Sequence, residues 1–140
     1  MLSLAATLLL AGTHITLQAA EMTMAGLGRQ DLIKRDLSTP GLEVVQVRVD
    51  FGPGVTAPAH SHPGEEVAFV LQGALEYQLA GQPAVVLQAG QSLFIPAGTV
   101  HSAKNVGSGE AKELATYVVR QGRPLVTLAG TPAQSPMRER

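Results

Sequence analysis

The 140 residues set one domain as the expectation, and they suffice to bury a core without covalent or metal staples. There is no cysteine, which excludes disulfides and thiolate metal sites. A net charge of −1 and 4% aromatic residues leave neither the basic footprint nor the stacking platforms of a nucleic-acid binder.

Residues 1–20, MLSLAATLLLAGTHITLQAA, carry no Lys, Arg, Asp or Glu. The apolar run Leu2–Ala11 has the length of a signal-peptide core, and it falls short of the roughly 20 apolar residues needed to span a bilayer. Ala19-Ala20 offers a cleavage site before Glu21. A signal peptide over 1–20 is therefore expected, which implies a periplasmic or secreted protein with no stable membrane span. The alternative is an uncleaved apolar helix packed on the domain of a cytoplasmic protein. Residues 21–42 form a lead-in, in which RQDLIKRD (29–36) interleaves charges with Leu32 and Ile33 and reads as solvated.

After Pro40-Gly41 the pattern becomes period two. In EVVQVRVDF (43–51), Val45, Val47 and Val49 share one parity while Gln46, Arg48 and Asp50 share the other, which marks a half-buried strand. Further runs follow at EVAFVLQ (66–72), ALEYQLA (74–80), AVVLQ (84–88), SLFIP (92–96), HSAKN (101–105), ELATYVVR (113–120) and PLVTL (124–128), each punctuated by glycine or proline. Short strands at this spacing predict an all-β antiparallel sandwich or barrel over 43–128, with a polar, disordered tail at 129–140.

The chemistry concentrates in HSHPGEE (60–66). His60 and His62 have the same parity, so an extended strand sends both side chains to one face. Pro63-Gly64 favours a turn. If the chain doubles back there, Glu66 faces the histidine pair and Glu65 faces solvent, so Glu66 is the expected partner and Glu65 the other candidate. His101 begins a later strand. His14 lies in the leader, so every histidine of the mature chain is a candidate for one site. Three imidazoles and a carboxylate suit Fe(II), Mn(II), Ni(II), Co(II), Cu(II) or Zn(II) better than calcium or a soft metal.

Gly54, His60, His62, Glu66 and Gly73 follow the spacing G-x5-H-x-H-x3-E-x6-G, and Gly90, Pro96, Gly98, His101 and Asn105 follow G-x5-P-x-G-x2-H-x3-N. Over residues 43–120 the chain resembles the small bacterial single-domain cupins of the quercetin-dioxygenase-like type, whose two signature motifs these are. The resemblance implies a double-stranded β-helix, or jelly roll. It also implies that His60, His62, Glu66 and His101 bind one divalent metal in the barrel mouth, with Fe(II), Mn(II) or Ni(II) favoured and Zn(II) an option. The motif glycines are expected in turns, and Asn105 is expected to tie down a strand end.

Four protein ligands leave about two positions open on an octahedral ion, which favours substrate over a closed structural site. A metal-dependent, oxygenase-type enzyme on a small organic molecule is the expected function, with Glu66 as ligand and catalytic base. The motifs themselves contain no second carboxylate for that role. The alternative is a non-catalytic extracytoplasmic cupin that binds or senses a metal or small ligand. Val47, Val49, Ala68, Val70, Phe94, Ile95, Val100, Ala103 and Tyr117 are expected to line the interior, although parity lets only one of Phe94 and Ile95 point inward. Tyr77 is a candidate acid or hydrogen-bond donor, the alternative being a core tyrosine with a satisfied hydroxyl. Lys104 is expected to face solvent. Phe69 and Leu71, of parity opposite to Glu66, predict a homodimer through an outer sheet face.

Overall fold

A computed structural model describes residues 24–130. The expected signal peptide and all but the first two residues of the expected tail lie outside that range. The described residues form strands, turns and loops only, so no helix among them is long and apolar enough to cross a membrane.

Ten strands pair antiparallel into two sheets of five, and the sheets face each other as a jelly roll. The first sheet runs in the order β1 (Leu27–Asp36), β2 (Leu42–Phe51), β9 (Ala111–Arg120), β4 (Gly64–Gln72) and β7 (Ser92–Ile95). The second runs β10 (Thr127–Leu128), β3 (Thr56–Ser61), β8 (His101–Asn105), β5 (Ala74–Leu79) and β6 (Val85–Gln88). Alternation decides which residues enter the barrel. On β9, Ala111, Glu113, Ala115, Tyr117 and Val119 are buried and the residues between them are less so. On β4, Glu66, Ala68 and Val70 are buried while Glu65, Val67 and Leu71 are exposed.

The lead-in is more than a solvated linker, because residues 27–36 pair along β2 as an edge strand. Eight of its ten residues are exposed, and with neither face covered it never acquires the alternation that betrays a strand. The strand expected over 124–128 shortens to Thr127–Leu128.

Glycine is demanded in two different ways. Gly54, Gly73, Gly90 and Gly98 have φ between 71° and 91°, the left-handed region that a Cβ disfavours. Gly64 does not. It is already the first residue of β4, beside Val119 of β9, and a Cβ there would run into the carbonyl oxygen of Val118. The turn expected at Pro63-Gly64 is thus a bend at Pro63, and Gly64 serves close strand packing.

Asn105 ties several loops to the barrel. Its Nδ2 lies 3.1, 3.0 and 2.8 Å from the carbonyl oxygens of Phe51, Gly52 and Gly109, and its Oδ1 accepts from the Gly107 amide at 2.9 Å. Asn105→Ala should cost about 2–4 kcal/mol in urea unfolding, since it orphans buried carbonyls as well as losing bonds. A cost under about 0.5 kcal/mol would show that water replaces the side chain.

Candidate metal centre

The site spans both sheets at one level of the barrel. His60 and His101 are partners across β3 and β8, while Glu66 faces them from β4. His62 lies just past the end of β3. A bulge sets the direction of His60. Ala57 pairs with Ala103 and His60 with His101, so β3 carries one residue more than β8 between these pairs. Both Ala57 and His60 can therefore point inward although their parities differ, and the irregular step falls at Pro58-Ala59.

The three imidazoles each offer a nitrogen within 4.8 Å of the others. Each has its Nδ1 against a backbone carbonyl: His60 with Pro58 at 2.7 Å, His62 with Leu125 at 2.6 Å and His101 with Thr99 at 2.9 Å. A carbonyl only accepts, so in the neutral ring each Nδ1 carries the proton and each Nε2 is left with a lone pair. Glu66 Oε2 sits 3.1 Å from His62 Nε2 and 3.2 Å from His101 Nε2. His62, Glu66 and His101 are at most 4% exposed.

His62 Nε2 and Glu66 Oε2 are buried with no hydrogen-bond partner among the described residues. With Nδ1 as the donor, their contact sets a lone pair against a lone pair. A cation between the acceptors relieves that repulsion, so the residues present fit a metal ion, and the three histidines could hold one. The acid–base balance differs among these groups. Burial pushes the His60 imidazole down to about 4 against the pull of the Pro58 carbonyl, which keeps it neutral. Burial works against ionising Glu66, but His101 and His62 outweigh it and bring the carboxyl down to about 2. His101 moves upward despite its burial because Glu66 favours its charged form.

Glu65 is exposed on the outer face and Lys104 is exposed on β8. Ile95 points inward at 1% exposure and Phe94 outward at 57%. Val47, Ala68, Val70, Ala103 and Tyr117 are buried and Val49 half-buried, but Val100 is 38% exposed in the turn before β8 and does not line the interior. The Tyr77 hydroxyl is satisfied, as a core tyrosine's should be, by donating to Glu113 Oε1 at 2.9 Å.

Glu113 is a second interior carboxylate, which the sequence reading did not single out. It lies outside both motifs, shares the parity of Tyr117 and is buried on β9. That parity was the available signal. Burial, aided by the Glu66 charge, pushes its carboxyl up to about 8, with the Tyr77 hydroxyl pulling the other way.

A family profile described as a cupin domain matches residues 47–119, more than half of the chain. The chain is a cupin. This cupin is similar to germin-like protein 3-5 of Oryza sativa subsp. japonica, at 37% identity over 89 residues covering 56% of the chain and 39% of that protein. It is also similar to oxalate oxidase GF-2.8 of Triticum aestivum, at 36% over 87 residues with the same two coverages, 56% and 39%. The chain thus spans about two-fifths of the length of these curated relatives. Among solved structures, a recombinant oxalate oxidase in complex with glycolate superposes with a TM-score of 0.61 at 30% identity, covering 76% of this chain and 57% of that one.

A raised carboxyl keeps its proton best in the folded protein. The stability this contributes is complete below about pH 4.5, the ordinary value, and is lost as pH rises through about 8. Glu113→Gln cannot ionise, so in chelator-treated protein its unfolding free energy should gain on the parent's between those two pH values. A pH-independent difference in urea melts would mean that Glu113 ionises normally.

Proposed function

We propose that this cupin is a metal-dependent enzyme of the oxygen-using type, acting on a small organic acid. His60, His62, Glu66 and His101 hold one divalent ion, with Fe(II), Mn(II) or Ni(II) preferred to Zn(II). The observation that carries this is the convergence of three imidazoles, each fixed by a backbone carbonyl, on a carboxylate oxygen that lacks a hydrogen-bond partner. Relatives named oxalate oxidase, and a neighbour solved with glycolate, support a small carboxylic acid as the first substrate class to test.

The ion, when bound, supplies Lewis acidity and a site at which substrate and dioxygen meet. The chain supplies the rest. The carbonyls of Pro58, Leu125 and Thr99 fix the tautomer and the aim of the imidazoles. Burial of His62, Glu66 and His101 excludes bulk water. His60 is the half-buried member of the four, so a small molecule reaches the site from its side. Glu66 is ionised and is the one acid of the four, so it is the member able to accept a proton from a bound acid.

The depth of the site favours one other function, a non-catalytic cupin that binds or senses a metal or small ligand, because three of the four side chains show almost no surface.

Metal analysis should give one ion per chain. His60→Ala and His101→Ala should abolish stoichiometric binding, whereas Glu65→Gln should leave it intact. Loss of metal in Glu65→Gln with retention in Glu66→Gln would reverse the assignment. Iron- or manganese-loaded protein should consume oxygen with a member of a small carboxylic acid panel, and Glu66→Gln should lower turnover at least tenfold. Equal rates for the zinc-loaded protein would sink the oxygen-using role. Tight ligand binding with no oxygen uptake would put the binding module in its place.

We also propose that a second copy of the chain covers the outer face of the first sheet. Val67, Leu71 and Phe94 are exposed there, with Phe69 half-buried beside them. These side chains carry no charge, and Glu65 borders them on the same face. Light scattering at micromolar concentration should report a dimer, and Phe94→Glu should report a monomer. A monomeric parent removes the proposal.

A further inference from the structure

The centre proposed above leaves a charge unbalanced. Three neutral imidazoles and one carboxylate against a divalent ion amount to one net positive charge inside a barrel of low dielectric. Such a charge is costly unless another group answers it. Glu43 and Glu113 are the other buried acids among the described residues. Glu43 stands 3.4 Å from Lys34 at the barrel rim and already has its cation. Glu113 is in no ion pair among the described residues, and its carboxyl meets the Tyr77 hydroxyl instead.

The strand registers place Glu113 beneath the centre. Glu66 pairs with Tyr117, Ala68 with Ala115 and Val70 with Glu113, while His101 pairs with Leu79 and Ala103 with Tyr77. Two steps along β4 and β9, about 13 Å of strand, separate the level of Glu66 from that of Glu113. The intermediate level is filled by Ala68, Ala115 and Ala103, with Tyr77 opposite Ala103. Tyr77 reaches across from the second sheet to Glu113 on the first and holds its carboxyl in place. The titratable groups that act on Glu113 are Tyr77 from β5, Glu66 from β4 and His101 from β8, and Tyr117 on its own strand feels its charge. β2 turns Val47, Val49 and Phe51 toward the interior, and β6 and β7 present Leu87 and Ile95.

We propose that Glu113, oriented by Tyr77, is the charge-balancing carboxylate of the metal centre. The proposal rests on the metal-binding reading of the four ligands. Entry of a divalent ion makes the ionised form of Glu113 favourable, so the carboxyl O–H bond breaks, the electron pair stays on the carboxylate and the proton passes to solvent. Glu113 is a positioning residue in this account, because it acts through the field at the ion and touches neither ion nor substrate.

The test is Mn(II) titration of the full, chelator-stripped chain at pH 7, by calorimetry in two buffers of different ionisation enthalpy. The parent should bind one ion. Glu113→Gln should bind about tenfold more weakly and release close to one proton fewer. Glu113→Asp, which keeps the charge and loses a methylene, should restore the proton release. Equal affinity and equal proton release in the parent and Glu113→Gln overturn the proposal while leaving the metal centre standing. Weaker binding with unchanged proton release reduces Glu113 to a packing role and overturns it too. A parent that binds no ion refutes the metal centre itself. Should Glu113→Gln not fold, Tyr77→Phe carries the test: several-fold weaker binding is expected, and parental affinity overturns the proposal.

Discussion

Three backbone carbonyls decide what the imidazoles of this barrel can do. An imidazole with a proton on the wrong nitrogen is a donor aimed at the centre, and it would turn toward Glu66 and close the site as an ordinary ion pair. By accepting at Nδ1, the carbonyls of Pro58, Thr99 and Leu125 leave the three Nε2 lone pairs facing one point. None of the three is supplied by the regular interior of a strand. Pro58 sits at the bulge of β3, Thr99 in the turn before β8 and Leu125 in the segment after β9. Irregular backbone, which has carbonyls to spare, fixes the tautomers, and the ladders around it keep that backbone in register.

The two motif halves are stitched by main chain at corresponding points. The Gly98 amide donates to the carbonyl of His62 at 3.0 Å, the Gly90 amide to Val70 at 2.8 Å and the Asn105 amide to Val55 at 2.9 Å. Glycines that permit tight turns therefore also tie the β7–β8 connection to the segment before β4, and the β6–β7 turn to β4 itself. The site's geometry and the barrel's closure are the same set of bonds seen from two sides.

Much of this was legible in the sequence because the barrel is written in period two. The parity of His60 and His62, and of Glu66 against Glu65, follows from alternation, and so does the choice of Ile95 over Phe94. Three features were not legible. An edge strand with both faces in solvent, such as β1, shows no alternation. A bulge adds a residue without altering composition, so nothing in TAPAH announces that Ala57 and His60 share a face. Glu113 was not singled out, although ELATY places it in phase with Tyr117. A charged residue in a strand defaults to the outside unless the interior holds something that welcomes it, here the hydroxyl of Tyr77.

The Leu125 carbonyl lies beyond the segment 47–119 that carries the family likeness. After β9 the chain crosses back, pairs Thr127 with Ser61 and Leu128 with His60, and hands the Ala129 amide to the Ala59 carbonyl at 2.8 Å. The strand bearing the first histidine is thus clasped from outside by residues that contribute no ligand. A fragment cut to the boundaries of the recognised domain would retain all four side chains of the candidate site and lose the latch that steers one of them. Inventories of ligands taken from domain boundaries would score such a fragment as complete. Its site would be a loose one, with His62 free to choose the tautomer that points a proton at Glu66.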